Sequence, residues 1–286
     1  MAHFPLSTGK FSRIRFRFPF LPVLVVLLLT GCATVPVTRR TQFNMLSEDR
    51  MLAMSRQQYR SFLEKERQEG DVLSPSESAD ARMVQQVGQR ISSSVEAYLS
   101  DHGHKKQVKQ FDWSFTLIDE NQINAWAMPG GRTAIYTGIL EVTQDASGLA
   151  VVMGHEIAHA VARHGNERMS QQLAAQLGGV ALAVAVRNKP RTTQNLYMAA
   201  YGIGSQVGAL LPFSRLHESE ADKMGLVFMA MAGYDPREAP QFWKRMAEEG
   251  GKKPPVFLST HPDDEQRIER LKQYMPKALE YYHPER

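Results

Sequence analysis

The sequence predicts an α+β domain, mainly helical, with a small β-sheet and one buried helix that carries two histidines. Three observations predict it. Helix start and stop signals punctuate most of the chain after Ser47, while period-two alternation is confined to residues 112–140. A nearly continuous apolar stretch surrounds His155-Glu156-Ile157-Ala158-His159. About 255 residues follow the leader described next, enough for one large domain with its own core, and no internal repeat divides them.

Lys10, Arg13, Arg15 and Arg17 precede the apolar run Leu21 to Leu29, which is about half the length a helix needs to cross a bilayer. Residues 1–31 therefore read as a signal peptide, with an uncleaved signal anchor as the alternative. Leu29-Thr30-Gly31-Cys32 looks like a bacterial lipobox, in which Cys32 becomes the lipidated first residue of the mature chain. Cys32 is the only cysteine, so no intramolecular disulfide can form. The leader arginines do not stand as a pair, which leaves a twin-arginine route unsupported. Ala33 occupies the place where, by resemblance to enterobacterial sorting, an aspartate would favour the inner membrane. The expected location is the outer membrane, with an acyl anchor in the lipid and the domain facing the periplasm.

The formal charge of +4 is accounted for by those four leader residues, since residues 1–31 hold no acid. The remaining chain is near neutral. A sequence pI near 9.1 thus gives no argument for nucleic acid, and no nucleic-acid partner is expected. His102, His104, Lys105, Lys106 and Lys109 cluster, but a solvated loop between a helix and a strand accounts for them.

Residues 32–75 read as a lipidated tether, Val35 to Thr41, and an N-terminal helix near Ser47 to Gln68. A second polar helix, Ser78 to Ser100, follows the breakers Gly70 and Ser74-Pro75-Ser76, and residues 76–286 form the main domain. Trp113, Phe115 and Leu117 alternate with Asp112, Ser114 and Thr116 as a half-buried strand does. Ile123 to Met128 and Thr133 to Leu140 flank Pro129-Gly130-Gly131-Arg132, a hairpin connection whose glycines suit positive φ. The histidine helix runs from about Asp145 to His164. Leu173 to Val186 and Leu196 to Phe213 read as two buried helices of the domain, with a membrane-touching or partner-binding element as the alternative. Helices then span Glu218 to Ala232, Pro236 to Glu249 and Asp263 to Tyr274, with a loop around Gly250 to Pro255.

His155 and His159 stand one helical turn apart, about 40° from each other around the axis, so one metal ion can touch both. Glu156 is rotated by roughly 100° from His155. It cannot easily join them as a ligand, but it can reach a water at the edge of the metal site, which is the position of a general base. Two histidines and a glutamate on so apolar a helix are costly unless satisfied; a metal satisfies all three, with a buried hydrogen-bonded His/Glu cluster as the alternative. A catalytic zinc needs a third protein ligand and an open position. The place six residues after His159 is Gly165, and His164 reads as a residue of the helix's last turn beside that glycine. Downstream, Glu218 and Asp222 share a helical face, so a ligand carboxylate and a supporting carboxylate can address one site. His217 and Glu220 are rivals that face other directions, and a solvated charged helix face is the alternative to all of them.

Four blocks in order resemble one family. They are Asn124 to Gly131, His155 to His159, Glu218 to Asp222, and Ser259-Thr260-His261-Pro262. The chain after about Ser76 resembles the membrane-associated zinc metallopeptidases that include the CAAX prenyl protease and HtpX, and most closely the bacterial envelope lipoproteins LoiP and BepA. The resemblance implies a gluzincin-type zinc metallopeptidase domain with one Zn2+ per chain held by His155, His159 and Glu218. It further implies that Asp222 orients a ligating histidine and that His261 is a fourth ligand able to block the metal at rest. Arg267 matches a family arginine near the active site and is expected to stabilise the oxyanion, beside Glu156 as base. Asn124, Ala125 and Trp126 resemble the edge strand on which a substrate peptide lies, with a core hairpin as the alternative. The expected function is an endopeptidase acting on unfolded or misassembled envelope proteins, outer-membrane proteins among them. The rival is a chaperone or assembly factor for outer-membrane proteins that binds chains in the same groove and cleaves little.

Overall fold

The computed structural model of the chain describes residues 32–249, 254–261 and 266–284. The expected leader, residues 1–31, lies outside the described residues, as do Pro262 and Asp263.

The segment expected as a tether is folded. Strand β1 (Cys32–Thr34) pairs antiparallel with β2 (Thr41–Phe43), and Val35 between them is fully buried. Val37 (φ 66) and Arg39 (φ 58) hold left-handed conformations. Each costs roughly 1–3 kcal/mol and persists only where surrounding contacts over-determine it. Those contacts come from far along the chain, since Arg40 pairs with Glu167 and Glu220. A local sequence pattern cannot show them.

Helix α1 (Glu48–Glu69) follows Ser47 and stops at Gly70, whose φ of 87 gives the left-handed end that glycine permits. After β3 (Val72–Leu73), α2 (Ala79–Asp101) begins where the Ser78 hydroxyl accepts the Ala81 N–H at 3.2 Å. A short α3 (Lys105–Val108) leads to β4 (Ser114–Ile118), β5 (Ala125–Met128) and β6 (Arg132–Tyr136). The sheet order is β3-β4-β6-β5, with β4 parallel and β5 antiparallel to β6, so β5 is an edge strand. Gly130 (φ 89) and Gly131 (φ 86) make the β5–β6 turn, as expected from the sequence. The second strand ends at Tyr136, earlier than expected, and α4 (Gly138–Thr143) takes over.

Both faces of the sheet are covered. Trp113 and Phe115 face α2, where the Trp113 indole N–H donates to Glu96 and Phe115 lies over Gly88. The polar face expected to meet water lies under α1, and the Tyr59 hydroxyl bonds with Ser114 Oγ and Thr116 Oγ1 at 3.1 and 2.8 Å.

Helix α5 (Ala146–Val161) starts at Asp145, whose carboxylate accepts the N–H groups of Ser147 and Gly148. It is buried along nearly its whole length and packs between α2 and the later helix α8 (Leu211–Met231). Glycines set how closely α5 and α8 approach. A Cβ on Gly154 would sit 2.9 Å from the Gly225 carbonyl oxygen, and one on Gly225 would sit 2.9 Å from the His155 nitrogen. Backbone therefore meets backbone beside His155, which draws the carboxylates of α8 into reach of the histidines of α5.

The histidine helix ends at Val161, earlier than expected. Arg163 turns left-handed (φ 57), and a new helix, α6 (His164–Val186), begins. The two apolar segments expected to be buried form an exposed hairpin of α6 and α7 (Arg191–Ser205), joined to α8 by the π-helical turn Gln206–Leu210. Val180 is 63% exposed and Leu196 70%, while α7 buries no residue. The hairpin packs mainly on itself, for example where the Tyr201 hydroxyl donates to the Ala175 carbonyl, so apolar composition misled the expectation. Among the described residues, α6 alone is long and apolar enough to cross a membrane, by length and composition only. Its first turns are nevertheless tied into the domain, with His164, Asn166, Glu167 and Ser170 buried. A 3-10 turn (Pro236–Glu238), α9 (Ala239–Glu248), α10 (Val256–Thr260) and α11 (Arg267–Leu279) complete the domain. The last helix runs beyond its expected end at Tyr274, through Pro276.

Candidate metal centre

Helix α5 presents His155 and His159 toward α8, which presents Glu218 and Asp222, and the turn after α10 brings His261 over them. One ligand atom each from His155, His159, Glu218 and His261 lies within 4.8 Å of all the others. His155 Nε2 is 3.0 Å from His159 Nε2, 3.3 Å from Glu218 Oε2 and 3.2 Å from His261 Nδ1. His159 Nε2 is 3.5 Å from Glu218 Oε1, and His261 Nδ1 is 3.2 Å from both Glu218 oxygens. Ligand bonds of about 2.05 Å in a tetrahedron imply edges of about 3.3 Å. The separations of 3.0–3.5 Å among these five pairs are close to such edges, and His261 stands where a fourth ligand would.

The opposite nitrogens show why these atoms suit a cation. His155 Nδ1 lies 3.0 Å from Asp222 Oδ1, and Asp222 is clamped by Arg267 through Nε and Nη2 at 2.9 and 2.6 Å. The Nδ1–H therefore donates to Asp222, leaving a lone pair on Nε2. Imidazole lone pairs converging beside a carboxylate are relieved by a positive charge. His155 shows the same demand for positive charge: burial works against its charged form, yet Asp222 and Glu218 outweigh it and push its pKa up to about 9, so where no cation sits a proton takes the Nε2 lone pair. Burial also pushes the Glu218 carboxyl up, and the imidazoles of His159, His155 and His261 overcome this and hold it far below the usual range. Burial lowers the pKa of His159 and keeps that ring neutral.

Glu156 sits between this cluster and the sheet. Its Oε2 accepts the Ala127 N–H at 3.1 Å, its Oε1 lies 3.3 Å from His261 Nε2, and burial raises its pKa. The cluster opens into a cavity of about 410 Å3 lined by Glu156, His159, Glu218 and His261 on one side and by Asn124 to Ala127 on the other. The Tyr136 N–H donates to the Asn124 carbonyl at 3.2 Å. With the period of two in antiparallel pairing, Trp126 also faces β6, and Ala125 and Ala127 point their main-chain groups outward. The Trp126 indole packs edge-on against Phe62 and Tyr59 of α1, at 4.9 and 6.0 Å between centroids.

One expected role does not fit. Arg267 is 1% exposed, lies 3.3 Å over the Trp243 ring and is engaged by Asp222 behind His155. It does not line the cavity, so it positions Asp222 and is not placed to meet a substrate oxygen. His164 also departs from its expected place. Because α5 ends early, its ring turns back to put Nδ1 2.8 Å from His159 Nδ1. The rivals His217 and Glu220 are not ligands: His217 Nε2 bonds to Glu167 at 2.9 Å and Glu220 bonds to His164 at 3.0 Å. Against burial, His164 and His217 with Arg40 hold Glu220 and Glu167 down to about 2, and burial takes His164 down to about 4. Arg40, Glu167, Gly154 and Gly225 escape a reading by motif. The sequence offers only a carboxylate two residues after Glu218 and a histidine five residues after His159, both among polar neighbours that do not single them out.

Two helix-borne histidines and a glutamate from a downstream helix, beside the edge strand β5, define a metallopeptidase of the gluzincin arrangement. Residues 82–275 match peptidase family M48, and the chain belongs to that family. It is 32% identical over 255 residues to the mitochondrial metalloendopeptidase OMA1 of Schizosaccharomyces pombe, covering 88% of the chain and 69% of that protein. Human mitochondrial metalloendopeptidase OMA1 is 31% identical over 90% of the chain, which spans 48% of that protein. The beta-barrel assembly-enhancing protease of Yersinia pestis is 31% identical over 54% of the chain and 32% of that protein. The chain thus spans about half or less of the last two relatives' lengths.

Proposed function

We propose that this chain is a monozinc endopeptidase that cleaves unfolded or misassembled proteins at the bacterial envelope, and that His261 holds it latent. The observation that carries the reading is the tetrahedral cluster of His155, His159, Glu218 and His261 on the floor of a cleft whose wall is an edge strand. Nitrogen and carboxylate donors in tetrahedral array suit zinc, which supplies Lewis acidity that activates a water and polarises a peptide carbonyl. Glu156 takes the proton of the attacking water and passes it to the leaving amine. The outward main-chain groups of Ala125 pair with an extended substrate, which gives binding without side-chain specificity and suits unfolded chains. Asp222, held by Arg267, keeps the His155 ring in register.

His261 gives this site its resting state. Its Nδ1 stands at the fourth ligand position and its Nε2 faces Glu156, so water and base are both blocked until His261 withdraws. With the open form populated at about ten per cent or less, His261→Ala should raise casein turnover by about tenfold or more, and a chelator should abolish it. A fall in rate with zinc retained overturns the latency and gives His261 a transition-state role. Absence of cleavage in both proteins, with unfolded chains still bound, favours the chaperone reading.

The envelope assignment also rests on Cys32, which would carry the acyl anchor and opens the folded hairpin β1–β2. The name of the Yersinia relative supports an outer-membrane context. Cys32→Ser should remove palmitate labelling and release the chain from the membrane fraction. Labelling that survives the substitution refutes the anchor.

A further inference from the structure

Two buried histidines that the proposed reaction does not use, His164 and His217, stack behind the metal cluster with ring centroids 4.4 Å apart and planes 18° from parallel. His164 Nε2 lies 3.0 Å from Glu220 Oε2, and His217 Nε2 lies 2.9 Å from Glu167 Oε2. One guanidinium joins the two carboxylates. Arg40 Nε donates to Glu220 at 2.8 Å, while Nη1 and Nη2 donate to the two oxygens of Glu167 at 2.9 and 2.7 Å. The Thr38 hydroxyl of the same hairpin donates to the other oxygen of Glu220.

This arrangement sets protons in one direction. A carboxylate paired with a guanidinium only accepts, so the proton of His164 sits on Nε2 and its Nδ1 is a bare acceptor. His159 Nδ1, 2.8 Å away, must then carry the hydrogen, which leaves the lone pair of His159 on Nε2, the atom within the cluster. His155 receives the same instruction directly from Asp222, whereas His159 receives it through His164 from a carboxylate pinned by the N-terminal hairpin.

We propose that Arg40 is a positioning residue of the metal centre: by bridging Glu220 and Glu167 it fixes, through His164, the tautomer and orientation of His159. Metal affinity then depends on the seating of the hairpin that begins at Cys32. The proposal rests on the reading of His159 as a ligand, and the test separates the two.

Zinc affinity of the full chain in detergent is measured by competition with a chromophoric chelator. Loss of an orienting partner of a ligand costs about 10–100-fold in metal affinity, so His164→Phe should fall in that range and Arg40→Met at about tenfold. Because Arg40 acts through His164, the double variant should bind no more than about twofold more weakly than His164→Phe alone. Arg245→Met should keep the parental affinity; Arg245 likewise pins two elements, through Val142 and Glu238, away from the cluster. Parental affinity in Arg40→Met, losses that multiply in the double variant, or an equal loss in Arg245→Met overturns the proposal. Should Arg40→Met fail to fold, Arg40→Lys keeps the charge but not the two-carboxylate fork and should lose about threefold, and parental affinity there overturns it as well. His159→Ala that binds zinc like the parent removes the reading of the site, and the proposal with it.

Discussion

Glu156→Gln should lower peptide hydrolysis by about a thousandfold while leaving about one zinc per chain, because general acid–base transfer contributes about 10²–10⁴ to such rates. The amide has nearly the shape of the carboxylate. Its oxygen can keep the Ala127 N–H bond seen at 3.1 Å, so the strand edge stays in place. What is lost is the proton acceptor. Glu156 approaches the cluster without joining it, since the ligand atoms that converge are those of His155, His159, Glu218 and His261. Metal analysis beside a casein assay decides the matter: loss of zinc makes Glu156 a ligand, and retained cleavage gives the base role to another group.

The sequence displayed the parts of this site that obey a period. His155 and His159, and Glu218 and Asp222, recur at one helical turn, and the structure brings the two pairs together across α5 and α8. Sequence spacing could not show where α5 ends, because the break falls on Arg163, a left-handed residue that is not glycine. That break makes His164 a partner of His159 instead of a last-turn residue. Arg40 was illegible for a different reason. Its carboxylates lie far along the chain on two other helices, and pairings between distant single residues leave no repeat to read. The edge position of β5 likewise needed the strand order, since edge and core strands share one alternation. In α6 and α7 apolar content predicts burial, and the structure leaves those faces exposed.

Glu218→Ala should weaken zinc binding by roughly a hundred- to a thousandfold, a larger loss than any other single carboxylate of the site produces. A tetrahedral zinc site is worth about 10–16 kcal/mol, so each of four ligands carries about 2.5–4 kcal/mol. Glu218 contributes more than a bond. It is the one carboxylate in the cluster of three imidazoles, and those rings hold its pKa far below the usual range against burial. Its removal leaves the cluster to neutral nitrogens, with the Arg267 guanidinium 3.6 Å from the lost oxygen and Asp222 behind His155 as the carboxylate that remains against a ligand ring. Glu220, judged by helical phase alone, points away from Asp222 and should be silent. Its contacts point the other way: Glu220 reaches His159 through His164, so Glu220→Ala should lose about tenfold. Chelator competition on the two variants orders them. Equal losses would mean that Glu218 orients without binding, and a larger loss for Glu220→Ala would place the third ligand on the opposite side of α8.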